Sequence, residues 1–327
     1  MRAFRRLSRL LALAALSLTA PLSATAQEPA WPARTVTIVV PYPAGGNTDM
    51  MARLAGEFLA KRFGQGFVVE NRPAGNGAVA AAQIAQAPAD GHTLFFAAAV
   101  QMIILPMMRQ VNYDPQADFT PVSIFGAGPF ALGVHKSVPA ETLDEFLAFA
   151  KASGRKIDVA SAGSGGIAHL AAALLAKKAG FEPVFVPYRG GGPAANALAA
   201  GDVHAYFGNA SEMITLAEGG GVKVIAVSSA QPIPQLPRAV TVASRFPGFD
   251  LTSWNGFLVA KNTPKPIVDK LQEGVAAAAR DPVIAQRLTS LGVQPMGSTA
   301  EEFARVLETE RPLFAAAVEA AGLEPAK

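Results

Sequence analysis

Val36-Thr-Ile-Val-Val40, followed by Pro41-Tyr-Pro-Ala-Gly-Gly-Asn-Thr-Asp49 and then a helical pattern from Asp49 to Phe63, decides the fold. An apolar five-residue run bounded by turn residues reads as a buried strand. A glycine pair after it lets the chain turn sharply, and Asn47, Thr48 and Asp49 favour a helix start. Strand, glycine turn and helix N-terminus together make one half of a βαβ unit, and they offer unpaired N–H groups to an anion.

The same order continues outward. A strand at Phe67–Glu70 leads to Asn71-Arg-Pro-Ala-Gly-Asn-Gly77, a helix at Ala78–Gln86, Asp90-Gly91 and a strand at Thr93–Ala97. It then repeats. A strand at Ile157–Ala160, Ser161-Ala-Gly-Ser-Gly-Gly166 and a helix at His169–Ala179 precede a strand at Val184–Pro187. Tyr188-Arg-Gly-Gly-Gly-Pro193, a helix at Ala194–Ala200, Gly201-Asp202 and a strand at Val203–Phe207 complete the echo. Gly45 answers to Gly165, Arg72 to Arg189 and Gly91 to Gly201.

Alternating strands and helices imply mostly parallel sheets with helices on both faces, and two such units imply two α/β lobes. Thr120–Gly126 and Phe130–Val134 read as extended runs parted by Gly128-Pro129, a crossing point between lobes. Val222–Ser228 is a further buried strand. The return falls in the proline-rich 232–247 stretch before a strand at Gly256–Ala260. This gives lobe 1 as 27–126 plus 251–327 and lobe 2 as 127–250. Helices at Pro266–Ala279, Pro282–Leu291 and Thr299–Ala321 are expected on lobe 1, the last opened by the capping box Thr299-Ala-Glu-Glu302.

The N-terminus gives the address. Arg2, Arg5, Arg6 and Arg9, the apolar run Leu10–Leu18 and the small residues Ala24-Thr25-Ala26 before Gln27 form a secretory signal peptide over 1–26. Its run is too short for a span, and no later stretch reaches about eighteen uninterrupted apolar residues. Removing four arginines and no acid takes the net charge from +3 to −1, so the working protein lacks the basic stripe of a nucleic-acid binder. With no cysteine, disulfides, thiolate metal sites, a thiol nucleophile and a lipid anchor are excluded. A soluble periplasmic protein, monomeric and without metal or cofactor, is expected.

Ligands of open α/β sheets sit beyond the carboxyl ends of the strands. Three loops there, 41–49, 161–169 and 188–193, would cradle an oxyanion between lobes. Asp49 reads as a helix cap and Asn47 or Thr48 as a contact. His169 either polarises a ligand carboxyl or bonds within its own loop. Tyr42 and Tyr188 wall the pocket or pack in the core. Arg72 and Arg189 either pair with a carboxylate or stay on the surface, and Trp254 packs at the crossing of the lobes. His92, His135 and His204 lack metal-ligand spacing. No Gly-x-Gly-x-x-Gly follows the first strand, and no lysine completes a phosphate loop. Ser164 has Ala162 where a nucleophile elbow needs glycine. A secreted hydrolase built on Ser164 and His169 is therefore the disfavoured alternative.

Five ordered motifs carry a resemblance over nearly the whole mature chain. Val40–Asp49, Val68–Gly77, Ala89–Leu94, Gly163–Leu170 and Pro187–Ala194, with Gly201-Asp-Val203 after them, resemble the extracytoplasmic solute receptors of tripartite tricarboxylate transporters, the Bug-type proteins. The resemblance implies a type II periplasmic binding fold: two α/β lobes that close on a carboxylate such as a di- or tricarboxylate, an acidic amino acid or an aromatic acid. It implies membrane permease subunits as partner, or a signalling partner if the protein is a sensor. It also points to the ligand residues: Tyr42, Gly45, Gly46, Asn47 and Thr48; Ala98 and Gln101 after Ala97; Ser161, Gly163, Ser164, Gly165, Gly166 and His169; Tyr188, Arg189 and Gly190; and Asn209 after Phe207. Asn47 stands where relatives often have glycine or another small residue, which adds a side-chain donor. Met102 and Ile103 are expected to form an apolar wall.

Overall fold

A computed structural model describes residues 31–152, 156–163, 165–320 and 322–323. The signal peptide and Ser164 lie outside the described residues. The first lobe runs β1 (Val36–Val40), α1 (Asn47–Phe63), β2 (Phe67–Asn71), α2 (Ala78–Ala85) and β3 (Thr93–Ala98), then a wide helical turn at Val100–Ile104 and the short α3 (Leu105–Met108). Strand β4 (Phe119–His135) leads into the second lobe: α4 (Leu143–Ala152), β5 (Ile157–Ser161), α5 (Ile167–Ala179), β6 (Pro183–Pro187), α6 (Gly191–Ala200), β7 (Ala205–Asn209), α7 (Ala210–Glu218), β8 (Val222–Val227) and β9 (Val240–Thr241). Strand β10 (Thr252–Ala260) returns to α8 (Lys265–Arg280), α9 (Pro282–Ser290), β11 (Gln294–Pro295) and α10 (Ala300–Ala320).

The strand order β2-β1-β3-β10-β4-β7-β5-β6 shows how two lobes share one backbone. Strands β2, β1 and β3 are parallel, and β10 joins them antiparallel. Strand β4 pairs antiparallel with β10 from Phe119 to Pro129, and with β7 and β8 from Phe130 onward. In lobe 2, β5 is parallel to both β6 and β7. Each lobe is thus a mixed sheet flanked by helices, the two-lobed α/β architecture read from the sequence.

Several details differ from that reading. Gly128-Pro129 does not break the chain: β4 is one seventeen-residue strand, because it keeps a partner on either side of that dipeptide. Strand β6 is half-buried rather than buried on both faces, since it is the sheet edge. Helices α4 and α7 escaped notice among their alanine- and glycine-rich neighbours. The C-terminal helices do not all stay on lobe 1. Helix α8 packs on α1, but α10 lies on β4, on the Val100–Ile104 turn and on α5. Phe314 and Val318 of α10 share a core with Leu170 of α5 and with Phe207 of β7.

Three of the helices that face the cleft are built alike. Helices α1, α5 and α6 start at Gly46, Gly166 and Gly190 and end at Gly64, Gly180 and Gly201. Those three end glycines are left-handed, with φ of 69°, 75° and 84°, a conformation in which glycine avoids the Cβ penalty and closes the last turn.

Candidate ligand-binding cleft

The first turns of α1, α5 and α6 open on one cavity between the lobes, of about 190 Å³. Glycine at each of the three N-caps brings no side-chain acceptor, and no side-chain cap bond is formed there among the described residues. Away from the cleft, the starts of α9 and α10 carry a side-chain cap, while those of α2 and α8, behind Gly77 and Pro264, carry none. Asp281 caps α9 by accepting from Val283 and Ile284 N–H, and Thr299 accepts from Glu302 N–H at α10. First-turn N–H groups have no partner inside their helix, so the three uncapped starts present donors and the positive end of the helix dipole to whatever fills the cavity.

Behind those turns, side chains hold the loops in place. Asp49 is not the N-cap of α1; Gly46 is. The Asp49 carboxylate instead accepts from Gly45 N–H at 2.9 Å, from Arg53 at 2.9 and 3.0 Å and from the Asn71 amide at 2.9 Å. Burial pushes its pKa up, but these donors win and hold it below the ordinary value. The Gly45 N–H is therefore already taken. His169 does bond within its own loop: its Nδ1 accepts from Gly165 N–H at 3.0 Å, and its ring stands against Phe185. Burial lowers its pKa, which keeps the imidazole neutral and able to accept.

Gln101 is fully buried and orients Tyr42. Its Oε1 accepts from Ala98 N–H at 3.1 Å, which fixes the amide. Its Nε2 then donates to Asn76 O at 2.8 Å and to the Tyr42 hydroxyl at 3.2 Å. Because Tyr42 Oη accepts there, its own proton is left for the cavity that the ring lines. Burial pushes the Tyr42 pKa up to about 12, against the pull of Gln101, so the hydroxyl stays a donor.

On the lobe 2 side, Tyr206 and Glu212 line the cavity together. Glu212 accepts from Tyr206 Oη at 3.2 Å and from Asn209 N–H and Nδ2, each at 3.3 Å. Burial raises its pKa, and these neutral donors pull the other way. Among the described residues no lysine, arginine or histidine forms part of the cavity lining.

Of the residues expected at the ligand, Tyr42, Gly45, Gly46, Asn47, Thr48, Ala98, Gly163, Gly166, Gly190 and Asn209 come together on the lining. Gln101, Ser161, Gly165 and His169 stand one layer behind it; Ser161 Oγ donates to Gly163 O. Tyr188 packs with the lobe 2 core, and Arg189 is exposed. Arg72 pairs with Glu70. Met102 and Ile103 are buried in the main core and form no wall of the cavity; the wide turn rotates them away from it. Tyr206, Phe130, Ser253 and Glu212 were missed. The Asn209-x-x-Glu212 spacing was a legible capping box, but nothing in the sequence said that its carboxylate borders a cavity.

The model of the "Tripartite tricarboxylate transporter family receptor" matches residues 51–323. The chain belongs to this receptor family. A UPF0065 protein of Pseudomonas sp. (strain P51) is 32% identical to the receptor over 304 residues, which is 92% of this chain and 90% of that one. Among solved structures, R. palustris Rpa4515 with adipate superposes with a TM-score of 0.87 at 32% identity, covering 90% of the receptor and 99% of that chain. MatC from Rhodopseudomonas palustris with bound malate gives 0.82 at 32% identity, covering 88% and 100%. The family is one of periplasmic solute receptors, and the neighbours bind solutes. Among the described residues of the receptor, no helix is long and apolar enough to cross a membrane, and no group of three or more His, Asp or Glu residues could hold a metal ion.

Proposed function

We propose that the receptor captures a small organic carboxylate in the periplasm, closes its lobes over it and presents the closed form to the permease subunits of a tripartite tricarboxylate transporter. The observation that carries this reading is the convergence of three uncapped helix N-termini, drawn from both lobes, on one cavity. One such terminus stabilises a carboxylate by about 0.3–1 kcal/mol when exposed and up to about 2 when partly buried. Micromolar affinity needs about 8 kcal/mol. Several amides, the Tyr42 hydroxyl and the desolvation that follows closure must therefore act together. The adipate and malate held by Rpa4515 and MatC support an acid as the guest.

The ligand contacts in this reading are the lining residues Tyr42, Gly46, Asn47, Thr48, Gly163, Gly166 and Gly190. Gln101, Gly165 and His169 position them from behind. Closure turns where β4 and the segment leading into β10 pass between lobes, at 126/127 and 250/251. A hydrolase on Ser164 and His169 gains no support, because the His169 Nδ1 that a carboxylate would orient is occupied by Gly165 N–H. A thermal-shift screen tests the proposal. An acid at a hundred times its Kd should stabilise the protein by about 2.7 kcal/mol, while the matching primary amide should not. If no carboxylate stabilises the protein, the proposal fails.

A further inference from the structure

We infer that Glu212 selects the ligand, and that the guest is an amino-carboxylate whose protonated amine docks on this side chain. The inference rests on the carboxylate reading above and adds the group that the other part of the ligand carries.

The cavity contributes the argument first. Glu212 is the one Asp, Glu, Lys, Arg or His side chain on its lining among the described residues. The polar atoms around it are neutral: Tyr206 Oη, Asn209 N–H and Asn209 Nδ2. No ion pair to Glu212 is formed among the described residues, in contrast to Asp49, which is closed off by Arg53. A carboxylate can accept about four hydrogen bonds, and Glu212 uses three long ones. Its remaining surface is on the cavity, because the side chain is half-buried yet belongs to the lining.

The backbone has been shaped around this carboxyl group. A Cβ added at Gly191 would sit 2.0 Å from Glu212 Oε1, and one added at Gly208 would sit 3.0 Å from Oε2. Gly191 is the first residue of α6, so the protein's own acid stands against one of the three helix starts expected to receive the guest. The ligand carboxylate is left with the α1 and α5 starts and Tyr42. A second carboxylate on the ligand would meet a like charge with no cation on the lining to offset it. A protonated amine would meet its complement.

A capping role alone does not account for the residue. Glutamine serves the capping box as well as glutamate does, without placing an ionisable group in a cavity. The Glu212→Gln variant therefore separates the two roles, because it keeps the cap and the volume and removes the charge.

The experiment is isothermal titration calorimetry of the exported protein with straight-chain acids of three to six carbons, each as alkanoate, dicarboxylate, α-amino acid and ω-amino acid. At one chain length, an amino acid should bind at least tenfold tighter than its alkanoate and dicarboxylate counterparts. Glu212→Gln, with an unchanged thermal midpoint, should lose that advantage while the counterparts bind as before or better. A dicarboxylate or alkanoate that matches the best amino acid in the native protein overturns the inference and leaves the carboxylate reading standing. So does a folded Glu212→Gln variant that keeps the preference, or one that loses all acids equally. If no acid of any kind binds the native protein, the carboxylate reading falls and takes this inference with it.

Discussion

At Tyr42 a single hydroxyl proton is made available by three fixed bonds: Ala98 N–H orients Gln101, and Gln101 then donates to Asn76 O and to Tyr42. Replacing Tyr42 with Phe removes that proton and leaves the ring. One net hydrogen bond is worth about 1 kcal/mol, so the Kd for the ligand should rise about fivefold with little change in the thermal midpoint; calorimetry on the variant decides it. An unchanged Kd would mean that the hydroxyl does not reach the guest. Gly191→Ala acts through another route. Helix propensity favours the alanine, but its Cβ would collide with Glu212 Oε1. The carboxyl sits at the end of a flexible side chain and can swing aside, so the expected stability change is small, within about 1 kcal/mol. The displaced carboxyl enters the cavity, and binding should weaken more than tenfold. A variant that binds normally would show that Glu212 can move without consequence for the ligand.

Elements rather than residues explain why much of this fold was legible. Helices α1, α5 and α6 announce themselves by a glycine at each end and an apolar strand before them. Gly45 and Gly190 lie on the cavity lining and Gly165 does not, so the glycine turns were legible from sequence more readily than which of their residues face the cavity. The long strand β4 was not legible as one piece, because Gly128 and Pro129 disfavour a strand locally and only pairing with β10, β7 and β8 overrides them. Helix α10 hid its role for a similar reason: its amphipathic pattern shows an apolar face but not which partner receives it. That partner includes β10, where Trp254 Nε1 donates to Glu310 Oε2 at 2.8 Å and the indole stacks edge-on against Phe303. Burial, with a smaller push from Asp250, raises the Glu310 pKa to about 7 against the pull of Trp254. An acid whose folded pKa is raised contributes its full stability below the unfolded value, near 4.5, and loses it as pH rises through the folded one. Native protein should therefore lose about 1–3 kcal/mol between pH 4.5 and about 7 relative to Glu310→Gln, and the two curves should run parallel above that. Urea midpoints across this range measure it, and parallel curves throughout would refute the assignment.

Across the whole molecule, the lobes already touch. Asn47 of α1 accepts from Ser211 Oγ of α7 at 3.2 Å. Positions 163 and 190 of lobe 2 lie against Asn76 and Pro43 of lobe 1, each near enough that an added Cβ would press on its neighbour. These contacts add to the backbone of β4 and β10 and to the packing of α10 on α5 as links between the lobes, so they stabilise the closed arrangement without a guest. Asn47 lines the cavity as well, which places latch and ligand contact on one side chain. A ligand gains affinity in proportion to the fraction of protein that is ready to receive it. Ser211→Ala removes the latch from the far side and leaves the ligand-facing atoms of Asn47 intact. Losing one bond worth about 1 kcal/mol should move the closed-to-open ratio about fivefold. The ligand-free variant should then show a larger radius of gyration by small-angle scattering than the native protein. With saturating acid the two should coincide, because the guest's own contacts to both lobes replace the lost bond. Identical scattering of the two ligand-free proteins would show that Asn47 and Ser211 do not govern closure.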